Sequence, residues 1–158
     1  GRVLVDGDGL FHLGEFVKSE PLDPAVDWVI TPHFLEASRI MGLSVEDIKK
    51  NRFDAAGVIS DKLSCTVLLK GPASIVAGGG RRYINTTGCA ALGTAGAGDI
   101  LSGIIGSMLM RRMPTLHAAA CGAWIHGHAG EMHCSVNNTN VLKSSDILPF
   151  IRAAKQQM

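Results

Sequence analysis

The stretch from Asn85 to Met113 constrains this chain more than any other. Gly93, Gly96 and Gly98 crowd just upstream of Asp99. Ile100, Leu101, Ile104, Ile105, Met108 and Leu109 then recur at helical spacing. A glycine-rich loop that runs into a helix start is a natural anion site. The first N–H groups of a helix lack internal acceptors, and the helix dipole adds partial positive charge there. Glycines let the backbone approach a ligand without a Cβ in the way. A carboxylate at Asp99 would repel a phosphate, so its use would be on a hydroxyl beside the phosphate. A base, an anion cradle and a neighbouring hydroxyl are the parts of phosphoryl transfer. The residues alone leave a second reading open. An Asp ahead of an apolar helix also fits an N-cap, worth about 0.5–2 kcal/mol, and small residues there fit turn chemistry. The length of the run GTAGAGD followed by LSG favours the anion site.

Composition excludes several classes. At 158 residues and 46% hydrophobic content the chain can bury one core as a single domain. Fifteen basic residues against fourteen acidic ones suggest neither a nucleic-acid nor a membrane surface. No apolar run approaches the roughly 20 residues of a bilayer span, and no signal peptide is recognisable. Cys65, Cys89, Cys121 and Cys134 form no C-x-x-C pair, so free thiols in a reducing cytoplasm are expected. Asn85-Thr86-Thr87 and Asn137-Asn138-Thr139 match the glycosylation pattern by chance, in the absence of a secretory signal.

The rest of the chain alternates strands and helices. Val3–Val5 is a short apolar strand, and Asp6-Gly7-Asp8-Gly9 a turn at its carboxyl end. Ligands of open α/β sheets bind at such ends. Asp6 and Asp8 either form that turn or help hold a magnesium ion indirectly; the absence of further acidic ligands at the required spacing argues against a calcium loop. Asp23-Pro24 predicts a short helix start, Trp28–Ile30 a buried strand, and His33–Met41 a helix with Leu35, Ile40 and Met41 inward. Ser44 to Asp47 resembles a capping box, and Phe53–Leu63 an amphipathic helix. Cys65–Leu69 reads as a strand ending at Lys70-Gly71. Ser74–Ala77 and Arg82–Asn85 pair through a turn at Gly78-Gly79-Gly80. Leu116–Met132 is a long helix rich in small residues, suited to close packing on the helix after Asp99. His126, His128 and His133 lack the spacing of a metal site. Ser145-Asp146 opens a terminal helix with Ile147, Leu148 and Ile151 inward and Pro149 in its first turn. Lys70 is either a counter-charge for an anion or a solvated strand end, and His33 a cap, a packed side chain or a ligand contact.

Five segments agree in order with one known pattern: VDGDGL at Val5–Leu10, TPHFLE at Thr31–Glu36, LLKGPAS at Leu68–Ser74, GTAGAGD at Gly93–Asp99 and HGHAGE at His126–Glu131. Together they resemble the ribokinase-like superfamily, and within it the ADP- or ATP-dependent NAD(P)H-hydrate dehydratases. The resemblance covers nearly the whole chain but begins partway into the family's pattern. It implies a three-layer α/β/α sandwich that lacks its N-terminal βα units, so that residues 1–158 are the C-terminal part of a larger domain. It implies that Asp99 orients or deprotonates a substrate hydroxyl, that His33 and Asp99 contact hydrated NAD(P)H, and that the N–H groups of Ala97, Gly98 and Asp99 form the anion hole. Thr94 could add a hydroxyl to that site. By the same resemblance Lys70, Gly71, Pro72, Ala73, Ser74 and Gly98 bind the adenine nucleotide, Mg2+ neutralises its phosphates without a dedicated protein metal site, and the subunits form a homo-oligomer. Phe34-Leu35 replaces the Pro-Gly that follows this His in the family. Two other readings remain: a vitamin or sugar kinase of the superfamily using the same Asp99, and a nucleotide-binding module without catalysis.

Overall fold

The computed structural model describes residues 1–158. Its strands are β1 (Arg2–Val5), β2 (Asp27–Ile30), β3 (Thr66–Leu69), β4 (Ile75–Gly78) and β5 (Arg81–Ile84), side by side in that order. β1, β2 and β3 run parallel, and β4 and β5 add antiparallel. The helices are α1 (Asp8–Phe16), α2 (Phe34–Met41), α3 (Val45–Lys50), α4 (Arg52–Leu63), α5 (Ala97–Met110), α6 (Thr115–Val136) and α7 (Leu148–Gln156).

Strand side chains alternate between the two faces of a sheet, and here both faces of β3 and β4 are covered, while β5 at the edge is exposed. Ile30, Val67, Leu69, Ile75 and Ala77 point into one core with Leu10, Ile40, Ile48 and Ile59 from α1 to α4. Their neighbours Val29, Leu68 and Val76 point into a second core with Ile105 of α5 and Ile125 of α6. This two-sided burial explains why these strands read as unbroken apolar runs. The result is the expected α/β/α sandwich, in which no helix is long and apolar enough to cross a membrane.

Local chemistry sets the ends of the elements. Ser44 Oγ accepts the Asp47 N–H at 3.0 Å and starts α3. Gly79 and Gly80 both take positive φ, as a two-residue hairpin turn of mirror-image type requires. Four expectations need correction. Asp8, placed in a turn by the sequence, opens α1, which buries Leu10 and Leu13. Asp23 starts no helix; its carboxylate accepts the Ala25 N–H at 2.8 Å and closes a turn. Leu35 and Leu148 are exposed, because α2 and α7 present Ala37 with Ile40 and Ala154 to the cores instead.

The small residues of α6 are spacing devices. A Cβ on Gly122 would fall 2.5 Å from Ile105 Cγ1 of α5, and one on Gly127 would fall 2.7 Å from the Thr87 backbone carbon. Gly103, on the outer side of α5, has nothing within 4 Å. Gly127→Ala is therefore expected to destabilise by about 1–3 kcal/mol through overpacking, although alanine is the better helix former by about 1 kcal/mol. Gly103→Ala should be neutral or stabilising. Urea unfolding of both variants measures the contrast.

Candidate active site

The carboxyl ends of the three parallel strands meet the N-terminus of α5. Asp6 follows β1, Thr31 follows β2, and Lys70 follows β3. Lys70 Nζ donates to Asp6 Oδ1 at 2.7 Å and lies 3.9 Å from Glu36 Oε2. Ser102, in the second turn of α5, donates its hydroxyl to Asp6 Oδ2 at 2.7 Å. A Cβ on Gly98 would lie 3.6 Å from both Lys70 Nζ and Asp6 Oδ2. The ammonium group thus stands beside the positive end of α5, held by carboxylates that keep the cluster from being a bare cation. The sequence marked Lys70 but gave no sign that Asp6 and Ser102 would fix it.

α5 starts at Ala97, after Gly96 in the left-handed region with φ 81°. The Ala97 N–H already donates to the Thr94 carbonyl at 3.3 Å, and Ile100 N–H takes the Gly96 carbonyl. The N–H groups of Gly98 and Asp99 have no backbone acceptor. The anion hole expected from three N–H groups is therefore open at two. Asp99 is the third helical residue and not the N-cap; its carboxylate is exposed and makes no side-chain hydrogen bond. It lies on the Gly96 side of the turn, where Ser144 Oγ also approaches.

Next to this turn opens a cleft of about 640 Å³. Lys70, Gly71, Pro72, Ala73 and Ser74 form one part of its wall, Gly88, Cys89, Ala90, Leu92 and Gly93 another, and Ala97, Gly98 and His126 line it from α5 and α6. Every residue expected from the sequence to bind nucleotide lines this one cleft, whereas Asp99 and Thr94 stand outside it. The Gly71–Ser74 wall is a closed turn: Ser74 Oγ donates to the Gly71 carbonyl at 3.0 Å. Arg52 braces it by donating to the Pro72 carbonyl. Phe34 also lines the cleft, and its ring lies so close over Gly71 that a Cβ there would sit 2.5 Å from Cζ. The Phe34-Leu35 pair thus puts an aromatic ring at the cleft edge.

His33 is both a cap and a wall. Its Nδ1 accepts the N–H groups of Leu35 and Glu36, at 3.1 and 3.2 Å, while Glu36 Oε2 accepts the His33 N–H at 2.7 Å. This reciprocal cap sets Nε2 3.5 Å from Glu36 Oε1, on a half-exposed ring that lines the cleft. The other histidines do not converge. His128 bonds Glu131 and Gln157, which raises its pKa, and His133 stacks edge-on against Phe150. His126 is buried with Nε2 unpartnered; burial pushes its pKa below the usual value, against a hydrogen bond with the Ala97 backbone. No group of three His, Cys, Asp or Glu side chains is placed to hold a metal.

Burial alone would raise the Asp6 carboxyl, but the hydrogen bonds from Lys70 and Ser102 and the Lys70 charge outweigh it and hold its pKa below the ordinary value of 3.8. A carboxyl lowered on folding stabilises the fold above its unfolded pKa and loses that contribution as pH falls toward the folded one. The stability gap between the unsubstituted protein and Asp6→Asn, measured by urea unfolding, should therefore be larger at pH 6 than at pH 3.

Comparison with known proteins identifies the family. The sequence profile of the NAD(P)H-hydrate dehydratase family matches residues 1–151. The ADP-dependent (S)-NAD(P)H-hydrate dehydratase of Neisseria meningitidis is 38% identical over 132 residues, which is 82% of this chain and 45% of that protein. A bifunctional NAD(P)H-hydrate repair enzyme of Thermofilum pendens is 36% identical over 96% of this chain and 29% of its own length. The chain thus spans less than half the length of these relatives. The crystal structure of the ADP/ATP-dependent NAD(P)H-hydrate dehydratase of Bacillus subtilis, co-crystallised with ATP and Mg2+, superposes with a TM-score of 0.88 at 25% identity, over 99% of this chain and 55% of that one. The hydroxyethylthiazole kinase of Pyrococcus horikoshii, at 17% identity and a TM-score of 0.72, shares the fold. The chain belongs to the NAD(P)H-hydrate dehydratase family.

Proposed function

We propose that the chain carries the nucleotide-binding and catalytic portion of an enzyme that dehydrates (S)-NAD(P)H-hydrate to NAD(P)H at the expense of ADP or ATP. The observation that carries this reading is the arrangement at α5. Two free N–H groups, the Lys70 ammonium and an unpaired Asp99 carboxylate surround one helix start beside a nucleotide-sized cleft. In this reading the nucleotide lies between the Gly71–Ser74 turn and the Gly88–Gly93 wall, with its terminal phosphoryl group on the N–H groups of Gly98 and Asp99.

Asp99 takes the proton of the ring hydroxyl, whose oxygen bonds the phosphoryl group as the bond to the nucleotide breaks. Departure of that phosphate, with loss of a proton from the adjacent ring carbon, restores the double bond. His33 offers Nε2 to the hydrated ring from the cleft edge. The residues fit magnesium only as a companion of the phosphates. The Asp6 oxygens are engaged by Lys70 and Ser102, Asp8 is an exposed first-turn residue of α1, and Asp99 alone has a free carboxylate nearby. A phosphate-bound magnesium ion supplies charge neutralisation. The kinase reading shares the same start of α5, but the family match favours dehydration over simple phosphorylation.

Asp99→Ala in the full-length protein should lower turnover by about 10²–10⁴-fold while nucleotide affinity stays within a few-fold. Reduced-nicotinamide absorbance with purified hydrated NADH, magnesium and ADP or ATP reads the rate. A rate near that of the unsubstituted protein would refute the base assignment. Lys70→Ala should raise the KM for nucleotide more than the KM for the hydrated cofactor. A flat trace with both nucleotides, despite nucleotide binding, would move the assignment to the kinase reading.

A further inference from the structure

Cys89 and Cys134 are 45 residues apart in sequence, yet their Sγ atoms are 3.4 Å apart. Cys89 precedes the 3-10 turn Ala90–Leu92 and lines the cleft, while Cys134 lies in the last turn of α6. Both are free and half-buried. The approach is not that of a loose loop. Asn85 Nδ2 donates to the Ala123 carbonyl at 3.3 Å, Thr87 Oγ1 to the Trp124 carbonyl at 2.9 Å, and the Gly88 N–H to Glu131 Oε1 at 2.7 Å. Beyond Cys89, Leu92 rests on Gly130 so closely that a Cβ there would fall 2.8 Å from it. The wall is therefore fastened to α6 on both sides of Cys89. Neither thiol has a part in the phosphoryl chemistry. Cys65, by contrast, is enclosed in the core, and burial pushes its thiol up to about 12.

We propose that Cys89 and Cys134 form a reversible thiol–disulfide site in the cleft wall, whose oxidant is a low-molecular-weight disulfide of the glutathione class. Burial, and then the adjacent Cys89 sulfur, raise the Cys134 thiol, so it is the poorer first nucleophile. Cys89, on the cleft side, gives its proton to solvent and attacks one sulfur of the small disulfide. One small thiolate leaves and takes up a proton, and a mixed disulfide remains on Cys89. Cys134 then loses its proton and attacks the Cys89 sulfur, which expels the second small thiolate. Two protein thiols are oxidised and one small disulfide is reduced to two thiols. Closing the bond brings the sulfurs from 3.4 Å to about 2.05 Å, through side-chain rotation together with a shift of the Cys89 wall toward α6. That wall runs on through Gly93 into the start of α5. The effect on ligand binding rests on the nucleotide reading above; the disulfide itself does not.

The test treats the full-length protein with glutathione disulfide, then with dithiothreitol, and follows intact mass, peptide maps and ADP affinity by calorimetry. Expected is a loss of two hydrogens, a Cys89–Cys134 cross-link that dithiothreitol reverses, and severalfold weaker ADP binding in the cross-linked form. Cys134→Ser should instead stop at a glutathione adduct on Cys89. A stable adduct on the unsubstituted protein, or a cross-link that involves Cys65 or Cys121, would overturn the site. A Cys89–Cys134 cross-link with unchanged ADP affinity would overturn its hold on the cleft. Failure of the reduced protein to bind ADP would count against the nucleotide reading and leave the cross-link to be judged by the peptide map.

Discussion

The ion pair between Asp6 and Lys70 joins parts of the molecule that share no sequence neighbourhood. Asp6 ends β1, Lys70 ends β3, and the Ser102 hydroxyl brings in α5 through the second oxygen of the same carboxylate. The two outer parallel strands are thus tied across β2 at the sheet edge where the helix begins. Both charges are largely shielded from solvent. Such a pair is costly to break from one side, because the partner is left charged and unmatched. The pair therefore positions Lys70 beside Gly98 more firmly than a long, flexible side chain would manage alone.

The sandwich beneath this knot was legible because both sheet faces are covered. Val29-Ile30 and Val67-Leu68-Leu69 needed no alternating pattern to be recognised as strands, since each alternate residue enters a different core. The helix after Asp99 was legible from its period, and the five motif segments fixed the order of the elements. What stayed hidden depended on tertiary contact. α1 begins inside a DGDG run whose glycines and acids argue for a turn, and only the burial of Leu10 and Leu13 against the sheet makes it a helix.

At the site, the residues singled out in the sequence gather around one cleft and the start of α5, but the contacts that connect them were not legible. His33 was weighed as a cap or as a ligand contact; its Nδ1 caps α2, its Nε2 faces Glu36, and the ring still lines the cleft. Lys70 was marked by its place after a strand, but the carboxylate that holds it comes from 64 residues earlier. Phe34 appeared only as a departure from the family's turn. No pattern within one segment could announce that its ring would lie over Gly71.

The bare backbone at Gly127 has a wider consequence. Because Thr87 occupies the space where a side chain would be, α6 serves as a mould on which the cleft wall is cast. Positions 87 and 127 then form one shared constraint split between two distant places in the gene. A bulkier residue at the helix could be accommodated only alongside a compensating change in the wall, so the two sites are bound to drift together or not at all. A cleft-lining residue without a side chain would in that way govern the shape a ligand meets.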